Sequence, residues 1–586
     1  MRPDASDRRA WTSLLLPAWC VTMAALILGP ALAPGYVLSY DMVFVPRVDL
    51  TRDTFGLGSA LPRAVPVDAV TALLTTVMRG DLLQKMVLVA TLALAGYGSS
   101  RLLHDQSGPV RAVAATVYVW NPYVAERLVL GHWALLVAYA ALPWLVLAAR
   151  DVRAARPGAL PRTVLLLAVC ALTPTGGLLG VLVALPVMAW PPVAGRARAL
   201  ATVVGSAVLV NAPWWLPGVL HDPTNASAEG VQAFAARGEN VLGLVGALLG
   251  LGGVWNAQVA PDSRGTVLGV TGTILLVGLA VAGTRSLART ADRGLVNGLA
   301  VAAAAGFAVA AAGALPGSRD VLAELVDALP AAGVLRDGHK WIAPYALLLA
   351  PAVALGIARF GARARDAHLS KLAAVGGIVA LLAVLPDLGW GAAGRLTAVD
   401  YPQDWHAVRD VVERDPAHGD VAVLPWGAFR DFGWNDGRTV LDPAPRFLPG
   451  SVVGSSDLAV GSVVVAGDDA RAGAVRAALD RPDSAAALRE LGVGWVLVEE
   501  DQAGEELPEP EGEVRYDGEQ LRLVRLAGAT ERPWPPHAAL VVVVDVLVAL
   551  FVGICAVWVG AGSKSRRRRL PAGKVPQPGF VDDGGS

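Results

Sequence analysis

The sequence is poor in charge and in cysteine, and both shortages narrow the class of protein. Only 17% of its 586 residues are Asp, Glu, Lys or Arg, whereas a soluble domain carries about 25%. Hydrophobic residues make up 54%, and the mean hydropathy is +0.50. Cys20, Cys170 and Cys555 all lie in apolar runs, which excludes a disulfide framework and a thiolate metal site from the charged segment near the C-terminus. The composition indicates a membrane protein.

Motifs of several large enzyme classes are also missing. The histidines show no His-x-x-x-His spacing, so a zinc site is not predicted. There is no Walker loop, no glycine-rich dinucleotide motif after a strand and no Gly-x-Ser-x-Gly elbow. We therefore predict no bound cofactor and no nucleic-acid partner, and leave the use of a divalent metal open.

Long apolar runs follow one another, and arginine is concentrated in every second gap between them. The basic clusters are Arg2/Arg8/Arg9, Arg101/Arg111, Arg150/Arg153/Arg156/Arg162, Arg196/Arg198, Arg285/Arg289/Arg293, Arg359/Arg363/Arg365/Lys371, and Lys564 with Arg566 to Arg569. Basic loops of membrane proteins stay in the cytoplasm, so this alternation is the positive-inside pattern. It predicts a multi-pass plasma-membrane protein with both termini cytoplasmic.

The apolar runs predict about 12 spans, because a helix that crosses a bilayer needs about 17–25 mostly apolar residues. They lie near 12–32, 82–103, 110–125, 132–149, 161–173, 176–191, 199–217, 265–284, 294–313, 341–358, 372–391 and 537–560. The pair 161–173 and 176–191 is interrupted by the sequence TPTGG, which a tight external turn or a discontinuous helix would both explain. Charge alternation along the chain favours two spans.

Residues 392–534 differ from the rest, because charge rises and the apolar runs stop. Short strands are predicted at 421–426, 462–467 and 494–501, helices at 468–480 and 484–491, and a hairpin at 513–526. Strands that alternate with helices indicate an α/β domain. We divide the chain into a transmembrane domain at 1–391, an extracytoplasmic α/β domain at 392–534, a last transmembrane helix at 535–562, and a disordered basic cytoplasmic tail at 563–586.

The first external loop carries acidic residues close to the membrane. Asp41 directly follows the first span in the sequence LSYDMVFVPRVDL (38–50), and Asp49 comes eight residues later. A carboxylate at this boundary can act as a general base if burial raises its pKa towards neutrality. A helix cap or a marker of the water interface would equally place Asp41 there. Further along this loop, the run 66–78 has helical spacing but is too short to cross, which predicts a helix lying in the interface.

A second external segment, NPYVAERLVLGHW (121–133), brings a carboxylate, a guanidinium and an imidazole into one short loop. A lipid phosphate needs cationic donors at the membrane surface, and Arg127 could supply a forked contact with His132 nearby. A surface charge pair between Glu126 and Arg127, with His132 capping the next span, explains the same residues. The sequence leaves both interpretations open.

A third segment, LRDGHKW (335–341), places Arg336, His339 and Lys340 directly before a span on the external side. The positive-inside pattern disfavours a basic cluster directly beside a span on the external side, so this cluster indicates a specific role. A phosphate-binding rim is favoured. Snorkelling of the lysine and of a nearby tyrosine to the interface is the alternative.

The order of these features resembles that of the GT-C superfamily of membrane glycosyltransferases. The shared features are a first span, a long external loop that opens on LSYD, an interfacial helix, many further spans and a C-terminal external domain. The resemblance is greatest to actinobacterial arabinofuranosyl- and mannosyltransferases and covers roughly residues 1–391. It implies a polytopic α-helical membrane protein of GT-C-like fold with a C-terminal extracytoplasmic α/β domain and a final transmembrane helix.

The resemblance also implies an activity. Enzymes of this kind take a sugar from a polyprenyl-phosphate donor on the outer face, which implies transfer to a cell-envelope glycan or lipid among the membrane lipids. An aspartate of the first external loop is the catalytic base in that family, and Asp41, then Asp49, stands where it would be. The implied substrate-binding residues are Arg127, His132, Arg336, His339 and Lys340. Many members carry paired acidic residues in this loop, whereas this chain has no Asp-Asp, Asp-Glu or Glu-Asp there.

A different class of function fits the same topology. A non-enzymatic transporter or flippase, or a scaffold for synthesis of envelope lipid or polysaccharide, needs no single essential carboxylate. Asp545, an ionisable residue inside the last span, and the broken pair at 161–191 would then matter more, since transporters place polar groups and discontinuous helices at depth. The aromatic segment 424–438 either contacts sugar or packs within its own domain.

Overall fold

The computed structural model describes residues 5–190, 197–221, 229–290, 292–363, 367–415, 419–460, 463–500, 502–505 and 507–568. The predicted tail from 569 onwards and part of the basic clusters (Arg2, Arg196 and Arg365) lie outside these ranges. Residues 563–568, predicted as the start of that tail, instead continue the last helix. Within the described ranges, a layer of long helices carries a small α/β domain on one face.

The long helices lie where the apolar runs predicted spans. The helices before the α/β domain are α1 Ala5–Leu28, α2 Val67–Thr75, α3 Gly80–Leu102, α4 Gly108–Val119, α5 Pro122–Val129, α6 Trp133–Arg153, α7 Ala159–Cys170, α8 Pro174–Ala189, α9 Ala197–Val210, α10 Ala212–Leu220, α11 Glu229–Ala233, α12 Gly243–Leu249, α13 Val267–Thr290, α14 Arg293–Ala312, α15 Ser318–Ala328, α16 Ala343–Arg363, α17 Ala367–Ala383 and α18 Gly389–Gly394. The later helices are α19 Gln403–Arg414, α20 Ala444–Phe447, α21 Ala470–Leu479, α22 Ser484–Glu490 and α23 Ala538–Arg568.

Strands are short and, apart from one pair, belong to the α/β domain. They are β1 Tyr36–Val37, β2 Ala398–Val399, β3 Asp420–Leu424, β4 Phe429–Arg430, β5 Val440–Leu441, β6 Val452–Val453, β7 Leu458–Val460, β8 Val463–Val465, β9 Val493–Glu499, β10 Glu513–Asp517 and β11 Leu521–Arg525. The main sheet has the order β10-β11-β9-β3-β6, with β3 parallel to β6 and β9 and with β11 antiparallel to both its neighbours. Both the α/β composition and the hairpin at 513–526 are observed as predicted.

The helices confirm a multi-pass membrane architecture. In the described residues, seven helices are long and apolar enough to cross a membrane, or up to nine if two bent pairs each form one span. Helices α4, α7 and α8 occupy predicted spans but are shorter, at 12, 12 and 16 residues. The predicted number of twelve therefore stays a prediction. The break between α7 and α8 is real, because the Thr173 hydroxyl caps α8 by accepting a hydrogen bond from Gly176 N at 3.1 Å.

Loops that the arginine pattern assigns to opposite sides of the membrane make separate sets of contacts. On one face, Tyr36 pairs with Val399 across a short β-ladder, and Tyr123 donates from its hydroxyl to Lys340 O at 3.2 Å. On the other, an ion pair joins Arg153 to Asp292. The face with the Tyr36–Val399 pair carries every candidate site residue and the α/β domain. That this face is the outer one stays a prediction.

The α/β domain shares its hydrophobic core with the helical layer. Alternate residues of β3 point to opposite sides of the sheet. Val421 and Val423 pack into the large core that continues into the membrane helices, while Ala422 and Leu424 pack beneath α21 and α22. The sheet is therefore held between its own helices and the loops of the membrane domain. The aromatic segment 424–438 belongs to this packing, which favours the core interpretation over sugar contact.

Candidate functional site

Asp41 lies in a tight turn that is held from both sides. Within the turn, Met42 N donates to Ser39 O at 2.9 Å, and Asp41 N donates to Leu130 O at 3.1 Å, which fixes it to the end of α5. Tyr40 joins the edge of the α/β domain, because its N–H donates to Thr439 O at 2.7 Å and its carbonyl accepts from Leu441 N at 2.9 Å. The membrane domain and the α/β domain together set the position of Asp41.

Gly131 permits this close approach between the turn and the α5–α6 loop. Its φ is +76°, a left-handed conformation that favours glycine. A Cβ added there would stand 2.1 Å from Met42 N and 2.4 Å from Ser39 O. A side chain at position 131 would therefore push the Asp41 turn away from His132.

His132 orients the Asp41 carboxylate. The imidazole Nε2 lies 3.1 Å from Asp41 Oδ2, and Nδ1 lies 3.0 Å from Arg127 Nη1. A guanidinium can only donate hydrogen bonds, so Nδ1 must be the acceptor and the proton of neutral His132 must sit on Nε2. His132 therefore donates to Asp41, and Arg127 determines which tautomer does so.

Arg127 is the centre of the cluster and is fully buried. Its guanidinium donates to both oxygens of Asp337, at 2.7 and 2.8 Å, a forked geometry. It also donates from Nη2 to His339 Nδ1 at 2.9 Å. With four acceptors placed around one guanidinium, Arg127 is a fixed structural donor.

The buried end of the cluster is a pair of carboxyl groups. The neutral His339 presents Nε2–H to Leu251 O at 3.3 Å and to Glu126 Oε2 at 3.4 Å. Glu239 pairs with Arg264 at 2.7 Å. Desolvation and the neighbouring Glu239 raise the pKa of Glu126 well above its ordinary value. Glu126 Oε2 accepts a hydrogen bond from Val254 N at 3.2 Å, whereas its buried Oε1 accepts none, as expected of a protonated carboxyl group.

The opposite end of the cluster reaches solvent. The Asp41 side chain is 49% exposed, whereas those of Arg127 and Glu126 are 0% exposed. Lys340, 25% exposed, lies 3.6 Å from Asp337 Oδ2. The cluster therefore runs from the fully buried Arg127 and Glu126 to the partly exposed side chains of Asp41 and Lys340.

The charges around Asp41 keep it ionised. Partial desolvation raises the pKa of Asp41, but the hydrogen bond from His132 and the charges of Lys340 and Arg446 outweigh it and hold that pKa below its ordinary value. Desolvation and the charges of Lys340 and Arg127 lower the pKa of His132 despite Asp41. The raised pKa that the sequence analysis made a condition for a general base is not found at Asp41, because His132, Lys340 and Arg446 outweigh the effect of desolvation.

Two predicted site residues have other partners. Asp49 forms ion pairs with Arg47 at 3.3 Å and with Arg409 of α19, which makes it a link to the α/β domain. Arg336 donates to Gly333 O at 3.2 Å and lies over the Phe234 ring at 5.6 Å. Among the described contacts, none joins Asp49 or Arg336 to Asp41, so the structure does not bring them into the cluster.

The structure also corrects the two interpretations of the segment 121–133. Arg127 and Glu126 are not a surface charge pair, because both are buried and each has other partners. Arg127 is also unsuited to hold a phosphate, because its two parallel N–H donors already bind the two carboxylate oxygens of Asp337. His132 precedes α6, and its side chain makes no capping hydrogen bond there. Its role is to orient Asp41.

Sequence reasoning missed three partners of this cluster. Asp337 was noted in its motif but not as a partner of Arg127, and Glu239 and Arg446 carried no recognisable signal. Asp337 is 210 positions from Arg127 in the chain, so no local pattern links them. In the described part of the chain, no group of three or more His, Cys, Asp or Glu side chains is arranged to hold a metal ion.

No family model matches the chain, and no curated protein sequence matches it. Among solved structures, it is similar to the cryo-EM structure of arabinofuranosyltransferase AftD from Mycobacteria, with a TM-score of 0.55 and 14% identity, covering 89% of this chain and 40% of that one. A mutant of the same protein matches with a TM-score of 0.52 and 16% identity, covering 89% and 42%. The chain thus spans about two fifths of the AftD chain, and at these identities the likeness concerns the fold alone. Over most of its length, the chain has the fold of this arabinofuranosyltransferase.

Proposed function

We propose that the protein is a membrane glycosyltransferase that moves a sugar from a polyprenyl-phosphate donor to an envelope glycan or lipid on the outer face. The observation that carries the proposal is the half-exposed Asp41 carboxylate, which His132 orients and whose pKa the charge of Lys340 helps to lower. The likeness of its fold to that of an arabinofuranosyltransferase supports the same reaction class. An arabinofuranosyl donor is accordingly the first to be tested, and a mannosyl donor the second.

In the proposed reaction, Asp41 accepts the proton of the acceptor hydroxyl as its oxygen attacks the anomeric carbon of the donor sugar. The bond between that carbon and the phosphate oxygen breaks, and the electron pair leaves with the polyprenyl phosphate. The leaving phosphate gains negative charge, so a nearby cation such as Lys340 stabilises the transition state more than the bound donor. Each group therefore has one role in a balanced transfer.

His132, Arg127 and Asp337 are positioning residues in this scheme. His132 donates to Asp41 Oδ2, which leaves the other carboxylate oxygen for the acceptor hydroxyl. Arg127 and Asp337 keep His132 in the tautomer that donates. A carboxylate held in one orientation loses less entropy on reaching the reactive geometry.

The test is sugar transfer by the purified full-length protein in lipid, using a panel of polyprenyl-phosphate sugars. We expect turnover by wild type and loss of about 100-fold or more in Asp41→Asn, because general-base catalysis contributes about 10²–10⁴-fold. Asp410→Asn is the matched control, since Asp410 is an exposed aspartate of α19 paired only with Arg414 in the described contacts. Equal turnover in wild type and Asp41→Asn would remove Asp41 as the base, and no turnover with any donor would count against the proposed reaction.

The alternative of a transporter, flippase or scaffold rests on Asp545 in α23, whose buried Oδ1 has no hydrogen-bond partner in the described residues. A transporter needs polar groups connecting the two faces. The described ionic network around Arg127 stays on one face, and Asp151 forms separate ion pairs with Arg156 and Arg162 on the other. Lipid or glycan flux that survives Asp41→Asn but is lost in Asp545→Asn would favour this alternative.

A further inference from the structure

Building on the proposed function, we infer that the donor phosphate is bound between the two domains, by Lys340 of the membrane domain and Arg446 of the α/β domain. The inference adds a binding residue from outside the transmembrane part of the chain. It also gives Asp68 a role, as the carboxylate that occupies Arg446 until phosphate replaces it.

Arg446 lies in α20, which is fastened to the first external loop beside Asp41. The Tyr401 hydroxyl donates to Phe44 O at 3.0 Å, and the Tyr401 ring lies 4.8 Å from the ring of Phe447, the residue after Arg446. Arg409 donates to Arg47 O at 3.2 Å and to Phe447 O. These contacts hold α20 against residues 44–47 of the loop.

The Asp41 turn is joined to the same part of the α/β domain. Tyr40, next to Asp41, bridges Thr439 and Leu441 by two backbone hydrogen bonds, as described above. The charge of Arg446 reaches Asp41, because it contributes with Lys340 to lowering the pKa of that carboxyl. Geometrically, Lys340 is linked to Asp41 through Asp337, Arg127 and His132, and Arg446 lies in the helix that contacts residues 44–47.

Lys340 and Arg446 are more accessible to a ligand than the two buried arginines of the network. Arg127 and Arg264 are 0% and 5% exposed and are each held by short hydrogen bonds. Lys340 shares Asp337 with Arg127 at the longer distance of 3.6 Å. Arg446, 20% exposed, is paired with Asp68 at 3.1 Å. Partly exposed cations whose carboxylate partner is shared or displaceable can accept a phosphate without breaking the buried network.

Asp68 competes with phosphate for Arg446. It lies in the first turn of α2, where its charge also interacts with the helix dipole. Arg446 donates to Asp68 through Nε and Nη2 at 3.1–3.3 Å, the forked arrangement that a phosphate group would also accept. Phosphate binding thus exchanges one acceptor for another at the same guanidinium.

The experiment measures binding of a polyprenyl phosphate without sugar to the full-length protein in nanodiscs of neutral lipid. Arg446→Ala should weaken binding by about 10-fold or more, because the charge-assisted hydrogen bonds from the guanidinium to the phosphate are lost. Asp68→Asn should strengthen binding several-fold, since it frees the guanidinium while keeping the side-chain shape. Arg446→Lys should fall between wild type and Arg446→Ala.

Opposite effects of Arg446→Ala and Asp68→Asn on phosphate binding would distinguish a binding role of Arg446 from a purely structural one. If the Arg446–Asp68 pair only joins α2 to α20, both variants weaken binding together or neither changes it, and the inference is overturned. Arg414→Ala is the matched control, an arginine of the same domain that is 76% exposed and should leave binding unchanged. Asp68→Asn keeps Arg446 and decides the question even if Arg446→Ala does not fold.

The binding assay is independent of turnover, so the two proposals can fail separately. Arg446-dependent binding without sugar transfer would leave the phosphate site in place and reject the transferase. A polyprenol without phosphate should not bind in an Arg446-dependent way. Competition by inorganic phosphate alone would show that a free phosphate, rather than a lipid headgroup, is the ligand recognised.

Discussion

The membrane domain and the α/β domain each contain a buried arginine at the centre of an ionic network, and the two networks differ in whether they reach solvent. Arg127 in the membrane domain holds Asp337 and two histidines, and its network opens to solvent at Asp41 and Lys340. Arg430 in the α/β domain is equally buried. It binds Glu499, Asp442 at 3.2 Å, and the carbonyls of Pro425 at 3.0 Å and Gly427 at 2.8 Å.

The comparison shows what distinguishes a site from a structural support. Both arginines pair with buried acidic side chains. Burying these charged groups costs desolvation free energy, which only good pairing and hydrogen bonding can offset. The Arg430 cluster closes on itself and fixes the loop that leads to β5, where Leu441 meets Tyr40. The hydrogen bonds of the Arg127 cluster, in contrast, orient one exposed carboxylate, that of Asp41. We therefore expect loss of Arg430 to act on stability and loss of Arg127 to act on chemistry.

The largest effect is expected from Arg430→Met, which leaves the buried Asp442 carboxylate without its cation and the buried Glu499 carboxyl without its donor. Breaking a buried ion pair from one side costs about 3–5 kcal/mol. Unfolding in detergent, followed by tryptophan fluorescence, should show this loss. Arg414→Met, on the exposed side of α19, should stay within about 0.5 kcal/mol of wild type. A loss below about 1 kcal/mol in Arg430→Met would contradict the supporting role of this cluster.

Arg127→Lys should reduce sugar transfer by about 100-fold, at the lower end of what a general base contributes. Lysine keeps the charge but cannot donate to Asp337, His132 and His339 in one plane. Transfer rate per folded molecule is the measurement, with Arg430→Lys as the matched control. If both variants lose transfer equally, the two clusters do not differ in function as we propose.

Gly131→Ala should act on the site more than on the fold. The added Cβ would stand 2.1 Å from Met42 N at a residue with φ +76°, so the Asp41 turn must move. Strain at such positions costs about 1–3 kcal/mol, and we expect transfer to fall by about 10-fold. Gly433→Ala in the α/β domain, where an added Cβ meets no atom within 4 Å, should behave as wild type. Unchanged transfer in Gly131→Ala would show that the turn tolerates displacement.

The smallest effect is a pH dependence of opposite sign in the two clusters. Burial and the adjacent Asp442 raise the pKa of Glu499 to about 8, so the native state holds a proton that the unfolded state releases. Stability from this group is present at low pH and is lost as the pH rises through about 8. Arg127 lowers the pKa of Asp337 despite desolvation, so that contribution is lost as the pH falls.

The test is the midpoint of thermal unfolding measured from about pH 3, below the ordinary pKa of a carboxyl group, to about pH 9. Glu499→Gln should flatten the decline that wild type shows as the pH rises towards about 8, and should leave the loss on acidification, to which Asp337 contributes, as in wild type. A decline that persists unchanged in Glu499→Gln would assign it to another group.

Much of the architecture could be predicted from local sequence patterns. The break at Thr173, the short helix α2, the strands β3 and β9 and the hairpin β10–β11 follow from apolar spacing and turn residues. The number of spans could not be predicted as firmly. Helices α4, α7 and α8 are shorter than the apolar runs that contain them, because glycine, proline and packing against neighbours set where each helix ends.

The candidate site could be predicted only in part. Asp41, His132 and Lys340 were found because acidic and basic residues beside a membrane stand out in an apolar sequence. Asp49 and Arg336 gave the same signal, and their contacts lie elsewhere. Residue type and position relative to a span do not say which partner a side chain takes.

The sequence by itself determined which segments are apolar, how the loops alternate between two faces, and where the α/β domain begins to form strands. These properties depend on the transfer of each segment between water and lipid and on spacing within a few residues. Only the tertiary structure decided that Arg127 forms its forked ion pair with Asp337 and that Arg409 forms an ion pair with Asp49. Those partners are 210 and 360 positions apart, so their pairing depends on the packed fold rather than on any local pattern.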